Sequence, residues 1–238
     1  MGAKFARRKV PDWVESLDNP LVGAIASHPV VGGKLARLMV GSSPEMRLTE
    51  RLTAQDGALL IVDVQEKLMA RIKYRDLVLA NALRLVKAAD VLDVPVWATE
   101  QYPSGLGPTL DELASLIPER PSKTEFQCCA IPRILEQLYG HHVKHVTLAG
   151  IEAHVCIAQT ALELLNLGFT VQVPADAVAS RATMDWEFAL RRLQAAGVVV
   201  TTTEAVLFEW TERSDRPEFK AISELVKGFQ SPGPQTLT

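Results

Sequence analysis

The sequence predicts a three-layer α/β/α fold built on a doubly wound, mainly parallel sheet of six strands. Three observations carry this. After residue 56, short apolar runs alternate with longer stretches of helical periodicity. The first short run, 58–64, is continuously apolar as far as Asp63, as in a strand buried on both faces. Helical stretches close on Gly or stop short of Pro. Such alternation implies βαβ units and a sheet covered on both sides.

ALLIVDV (58–64) is the first strand, entered from Gly57 and ending in Asp63. DLVLANALRLVKAADVL (76–92) has apolar residues at helical spacing and stops before Pro95; PVWAT (95–99) is the second strand. A loop rich in Gly and Pro follows (100–109), then a weak strand in SKTEF (122–126). IPRILEQLY (131–139) is a helix with Pro at its start, and KHVTLAG (144–150) is a strand. AHVCIAQTALELLNLG (153–168) reads as one helix closed by Gly168. FTVQVP (169–174), WEFALRRLQAAG (186–197) and VVVTTT (198–203) supply strand, helix and last strand. EAVLFEW and EFKAISELVKGF are terminal helices. The main domain therefore spans 56–228, after an extension at 1–55 and before a disordered tail at 229–238.

The 238 residues are 47% hydrophobic and 22% charged, too apolar for a disordered chain. Net charge is −3, and residues 56–238 alone carry 17 basic and 23 acidic groups, which disfavours nucleic acid as a partner. No apolar run approaches the roughly 18 residues of a membrane span. The basic start MGAKFARRKV is followed by Asp12, Glu15 and Asp18, which interrupt a secretory signal. The extension reads as an arm, an oligomer contact or a targeting segment. Ala6 stands where a myristoylation signal has Ser or Thr. Three cysteines make no disulfide framework, so reduced thiols and a cytoplasmic setting are expected; organelle targeting by the basic start stays open.

In doubly wound sheets the ligand crevice lies beyond the carboxyl ends of the strands. Asp63, the loop from Glu100 and the turn GIEAHVC all fall there. Cys156 sits in the first turn of a predicted helix, where the helix dipole and unpaired N–H groups lower a thiol pKa and can hold an oxyanion. A small buried apolar residue fits the same position. Asp63 is costly to bury unless paired or working, and can serve as a general base or as a helix cap. Lys123 is either a surface lysine or a cation that stabilises a thiolate. Together the three match the nucleophile, base and stabiliser of covalent acyl transfer.

Asp63 in LLIVDVQ, Lys123 in SKTEF and Cys156 in GIEAHVC, followed by Asp176-Ala177, resemble the Asp-Lys-Cys triad of the isochorismatase-like cysteine hydrolase superfamily. TEQYPSGLGPTLDEL (99–113) is similar to its YcaC-related branch, which includes the isochorismatase domain-containing proteins. The resemblance covers about residues 56–225 and leaves 1–55 outside. It implies a Rossmann-like fold and hydrolysis of a C–N bond in a small amide or carbamoyl compound. Asp63 would take the thiol proton, Cys156 would form a thioester, and Lys123 would stabilise both. It also implies a cis peptide at Ile151–Glu152, with N–H groups near Ala153 and Cys156 aimed at the oxyanion, and a homo-oligomer.

Nicotinamidases of that superfamily bind a divalent metal through Asp and His after the second strand. The matching segment ATEQYPSGLGPT has no His, so neither metal nor other cofactor is expected. His141, His142 and His145 cluster in HHVKH, which reads as a solvated turn. Gln65, Glu100, Gln101 and Tyr102 are candidates to line the pocket around a small-molecule substrate, with Phe126 and Ile157 as an apolar wall. Cys128 and Cys129 read as structural or oxidation-prone bystanders. A non-catalytic scaffold, and a redox sensor using Cys156, are the competing functions.

Overall fold

β1 (Gly57–Val62) shows how the sequence builds the sheet. All six residues are buried, and their side chains alternate between two cores. Leu59 and Ile61 enter one apolar cluster, while Ala58, Leu60 and Val62 enter the other. A computed structural model describes residues 51–229. The predicted arm (as far as residue 50) and the predicted tail beyond 229 lie outside the described residues.

The remaining strands are β2 (Val96–Gln101), β3 (Ser122–Lys123), β4 (His145–Ile151), β5 (Thr170–Pro174), β6 (Val178–Ala179) and β7 (Val199–Thr201). The spatial order is β3-β2-β1-β4-β5-β7, with β6 paired to β4. Every strand pair is parallel. The expected three-layer, doubly wound architecture is therefore present, with seven strands rather than six. β6 escaped notice because a two-residue strand has too little pattern to register.

One face is covered by α2 (Arg75–Val91), α8 (Thr203–Thr211) and α9 (Phe219–Lys227). Leu85, Val206, Trp210 and Ile222 pack there against Leu59, Ile61 and Ala149. The other face carries α5 (Pro132–Gly140), α6 (Ala158–Asn166) and α7 (Thr183–Ala195), whose Ile134, Leu138, Leu164 and Leu193 meet Leu60, Val62 and Leu148. Short helices α1 (Glu66–Met69), α3 (Pro103–Leu106) and α4 (Asp111–Ala114) fill the connections around β2. Ahead of β1, Leu52 and Ala54 are buried, and the Leu52 N–H donates to Glu209.

The chain runs outward from β1 through β2 to β3, then returns to lay β4 on β1's other side. That reversal is a topological switch point, where such sheets open a crevice. Close approach of β1 and β4 there depends on Gly150. Its φ is +120°, and a Cβ would fall 2.1 Å from the Val62 carbonyl oxygen.

The predicted helix 153–168 begins differently from expectation. Ala153–Ile157 forms a π turn, and regular α6 starts only at Ala158. The Ile151–Glu152 peptide before it is cis. HHVKH is only partly a solvated turn. His141 and His142 are exposed, but His145 starts β4, is buried, and lies 3.5 Å from Asp56 through Nδ1. Strand alternation turned it inward. Among the described residues no helix is long and apolar enough to cross a membrane.

Candidate active site

Three connections meet at the switch point. Asp63 leaves β1 with φ +52°, a left-handed conformation that Asp tolerates better than most residues. Lys123 ends β3, and Cys156 lies on the π turn after β4. All three are buried, at 0%, 4% and 6% exposure.

The Lys123 Nζ donates to Asp63 Oδ2 at 2.6 Å and to Gln101 Oε1 at 2.6 Å. The Thr99 hydroxyl donates to Asp63 Oδ1 at 2.8 Å. Both carboxylate oxygens are thus held. Cys156 Sγ lies 4.0 Å from Gln101 Oε1. Thr99 also touches the buried Cys128 thiol, 3.6 Å away.

Electrostatics differ from the expectation at Cys156. Burial, and then the Asp63 charge, push its thiol well above the ordinary range, with Lys123 opposing. Position at a helix start therefore does not produce a resting thiolate. Burial also raises the Asp63 carboxyl, against the pull of Lys123. Burial acts to lower Lys123, but the charges of Asp63, Cys128 and Cys156 outweigh it and hold the ammonium protonated. The resting site is a carboxylate, an ammonium and a neutral thiol, with no net charge. Moving the thiol proton to Asp63 leaves the net charge unchanged. Losing that proton to water would bury an extra negative charge, which is much costlier.

β2 explains which loop residues join this group. Successive strand side chains alternate in direction, so Thr99 and Gln101 share a side and Glu100 takes the other. Glu100 accepts from the Thr109 N–H and hydroxyl and pairs with Arg120, so it braces the loop and does not face the triad. Gln65 is fully buried, and its amide is taken up by backbone groups beside the site. Its amide donates to the Gln101 carbonyl at 3.0 Å and to that of Gly107, and accepts from the Gln101 N–H at 2.7 Å. Ile157 is fully buried in the same core cluster as Ala153 and Cys156. Tyr102 and Phe126 are 57% and 50% exposed, Tyr102 lying over Gly105.

The turn itself is braced. Glu152 accepts from the Arg181 backbone and side chain, both at 3.0 Å. His154 Nδ1 lies 2.9 Å from the Ser180 hydroxyl. Sequence reading missed Thr99 and treated Cys128 as a bystander. Residue spacing held a signal for Thr99: it sits two positions before Gln101 on one strand, hence on the same side. Nothing in the sequence signalled Cys128, whose backbone N–H is held by Thr160. Among the described residues no group of three or more His, Cys, Asp or Glu side chains is arranged to hold a metal ion.

The architecture is that of a parallel α/β domain with a switch-point crevice, and residues 57–205 match the isochorismatase domain. The chain belongs to the isochorismatase family, whose members are generally hydrolases and include nicotinamidases. Isochorismatase domain-containing protein 2 of Rattus norvegicus is 39% identical over 178 residues, covering 74% of this chain and 84% of its own. The solved MAR1 ribonuclease of Caenorhabditis elegans is 38% identical with a TM-score of 0.73, covering 79% of this chain and 97% of its own. The Escherichia coli YcaC gene product, described as an octameric hydrolase of unknown specificity, shares the fold. It is 24% identical with a TM-score of 0.66, covering 77% of this chain and 92% of its own.

Proposed function

We propose that the protein is a metal-independent cysteine hydrolase that cleaves the C–N bond of a small amide or carbamoyl compound. The observation that carries the reading is the buried Asp63–Lys123 pair beside the neutral Cys156 thiol. Asp63 takes the thiol proton as Sγ attacks the carbonyl carbon. Backbone N–H groups around Ala153 and Cys156 receive the oxyanion. The C–N bond then breaks, the nitrogen leaves with the proton held by Asp63, and a thioester remains. Water attacks the thioester, giving its proton to Asp63, which returns it to sulfur as the acid departs. Lys123 stays charged throughout and offsets whichever partner is negative.

A scaffold has no use for a buried ion pair beside a thiol, and replacing such a pair by apolar residues is commonly neutral or stabilising. The ribonuclease name of the C. elegans relative raises RNA as a substrate. Residues 56–238 carry six more acidic than basic groups, which is poor for holding a phosphate backbone. All three cysteines are free, which supports a reducing, cytoplasm-like setting. Exposed Met184 and Phe188, four apart on α7, support a homo-oligomer.

The test is a panel of small amides, carbamoyl compounds and a single-stranded RNA, with released ammonia or amine, and acyl-enzyme mass, as readouts. Amide turnover, a covalent adduct on Cys156, and loss of both in Cys156→Ala are expected, with EDTA without effect. Turnover that survives Cys156→Ala, or RNA cleavage in place of amide cleavage, overturns the reading.

A further inference from the structure

The geometry points to Gln101 as a positioning residue that fixes the Lys123 ammonium between Asp63 and the Cys156 sulfur. The inference rests on the hydrolase reading above and assigns Gln101 a role other than contact with substrate.

The orientation of the Gln101 amide is fixed from both ends. Its Nε2 donates to the Thr124 carbonyl at 2.8 Å, so Oε1 must point inward. That oxygen is the second acceptor for Lys123 Nζ, at the same 2.6 Å as Asp63 Oδ2. An ammonium has three N–H donors, and these two acceptors use two. The Cys156 thiol donates to the same Oε1, with Sγ 4.0 Å away, which places the sulfur beside the amide that holds the ammonium. Without Gln101 the ammonium has only Asp63 to settle on, and its bond to the incoming thiolate loses its anchor.

Gln65 fixes the strand end behind this amide. Its side chain bonds both the N–H and the carbonyl of Gln101, as a neighbouring strand would. The chain departs sharply just after, at Tyr102 with φ +38°. Gln101 thereby has a set position although it ends an edge-side strand next to the two-residue β3. An amide suits this role because it accepts without charge. A carboxylate there would add a second anion to the ammonium and oppose thiolate formation.

Charge at position 101 therefore makes a direct test. The groups facing Lys123 are Asp63 from the end of β1, Cys128 after β3, Cys156 on the π turn, and the exposed Glu125. In Gln101→Glu, a protonated Glu keeps both the inward acceptor and the outward donor. The ionised Glu loses the donor to Thr124 and adds charge. Carbamidomethylation of Cys156 by iodoacetamide, followed by peptide mass spectrometry between pH 5 and 9, reads this without any substrate. The ratio of Gln101→Glu to parent rates is expected to fall at least tenfold from the acid to the alkaline end. Gln101→Met, similar in length but with no strong acceptor, is expected to lose at least tenfold at every pH.

Equal ratios at all pH values for Gln101→Glu, or a parent-like rate in Gln101→Met, overturn the positioning role. Asp63→Asn run alongside separates the two levels of failure. If Asp63→Asn changes the profile and neither Gln101 variant does, only this inference fails. If none of the three changes it, the triad reading fails as well. Should Gln101→Met not fold, the pH ratio within folded Gln101→Glu still decides.

Discussion

Lys123→Met removes the cation from a site where nothing else offsets Asp63. At 2.6 Å, with an effective dielectric near 20, the pair attracts by about 6 kcal/mol. Taking both ions out of water costs several kcal/mol each, so the intact pair contributes little net stability. Removing one partner is different, because Asp63 stays buried at 0% exposure with Thr99 as its remaining strong donor. The expected loss is about 3–5 kcal/mol at pH 8. For a domain of this size that corresponds to about 6–20 °C in Tm. The loss depends on pH in a defined direction. Burial raises the folded Asp63 carboxyl, and losing Lys123 raises it further. The folded variant then binds a proton that the unfolded chain releases above about pH 3.9. Stability relative to parent is therefore greatest near pH 4 and is lost as pH rises through the folded pKa. The double variant Lys123→Met/Asp63→Leu should recover most of the deficit at pH 8. Urea unfolding of the four proteins of this cycle at pH 5 and pH 8 makes the measurement. A single-variant loss below 1 kcal/mol, equal at both pH values, would refute a buried ion pair.

Gly150→Ala places a methyl group against the Val62 carbonyl in a backbone region that L-residues avoid, so a loss of about 3 kcal/mol or more is expected in urea unfolding. A parent-like midpoint would show that β1 and β4 can separate there. Thr99→Val keeps shape but removes the donor to Asp63 Oδ1. It should cost about 1–3 kcal/mol at pH 8 and less as pH falls and the carboxyl, raised by burial, takes up a proton; a loss independent of pH would dismiss that bond. Burial lifts the Cys128 thiol to about 11, so peptide mapping after iodoacetamide at pH 8 should find Cys128 unmodified. Rapid labelling there would contradict its burial. Met184→Glu/Phe188→Glu is expected to shift the chain to smaller species in light scattering, and an unchanged mass would remove α7 from the oligomer contact.

The layers were legible because burial on both faces leaves a coarse trace. β1 is a continuous apolar run, β4 and β5 are short, mostly apolar stretches, and α2, α5 and α7 keep their periodicity. Asp63, Lys123 and Cys156 stood out because ionisable or nucleophilic residues at strand and helix ends carry chemistry out of proportion to their number. What escaped depended on direction in space. Gln65 and Glu100 are polar residues beside the site, yet one braces the Gln101 backbone and the other the Thr109 loop. The thiol's environment was misjudged because a helix start suggests a lowered pKa, while the depth of burial is a tertiary property. The π turn that carries Cys156 keeps the periodicity of a helix in sequence, so its wider first turn was invisible.

The shared proton between Asp63 and Cys156 is tested most directly by the pH profile of Cys156 carbamidomethylation in the parent and in Asp63→Asn. The reactive form, thiolate with protonated Asp63, has the same proton count as the resting form. The parent rate should rise as the Asp63 carboxyl ionises and then stay level through pH 9. In Asp63→Asn the thiol titrates alone against Lys123, so the rate should climb tenfold per pH unit until that thiol ionises. A parent profile that itself climbs up to the ordinary thiol range near about 8.5, superimposable on that of Asp63→Asn, would contradict the shared-proton site.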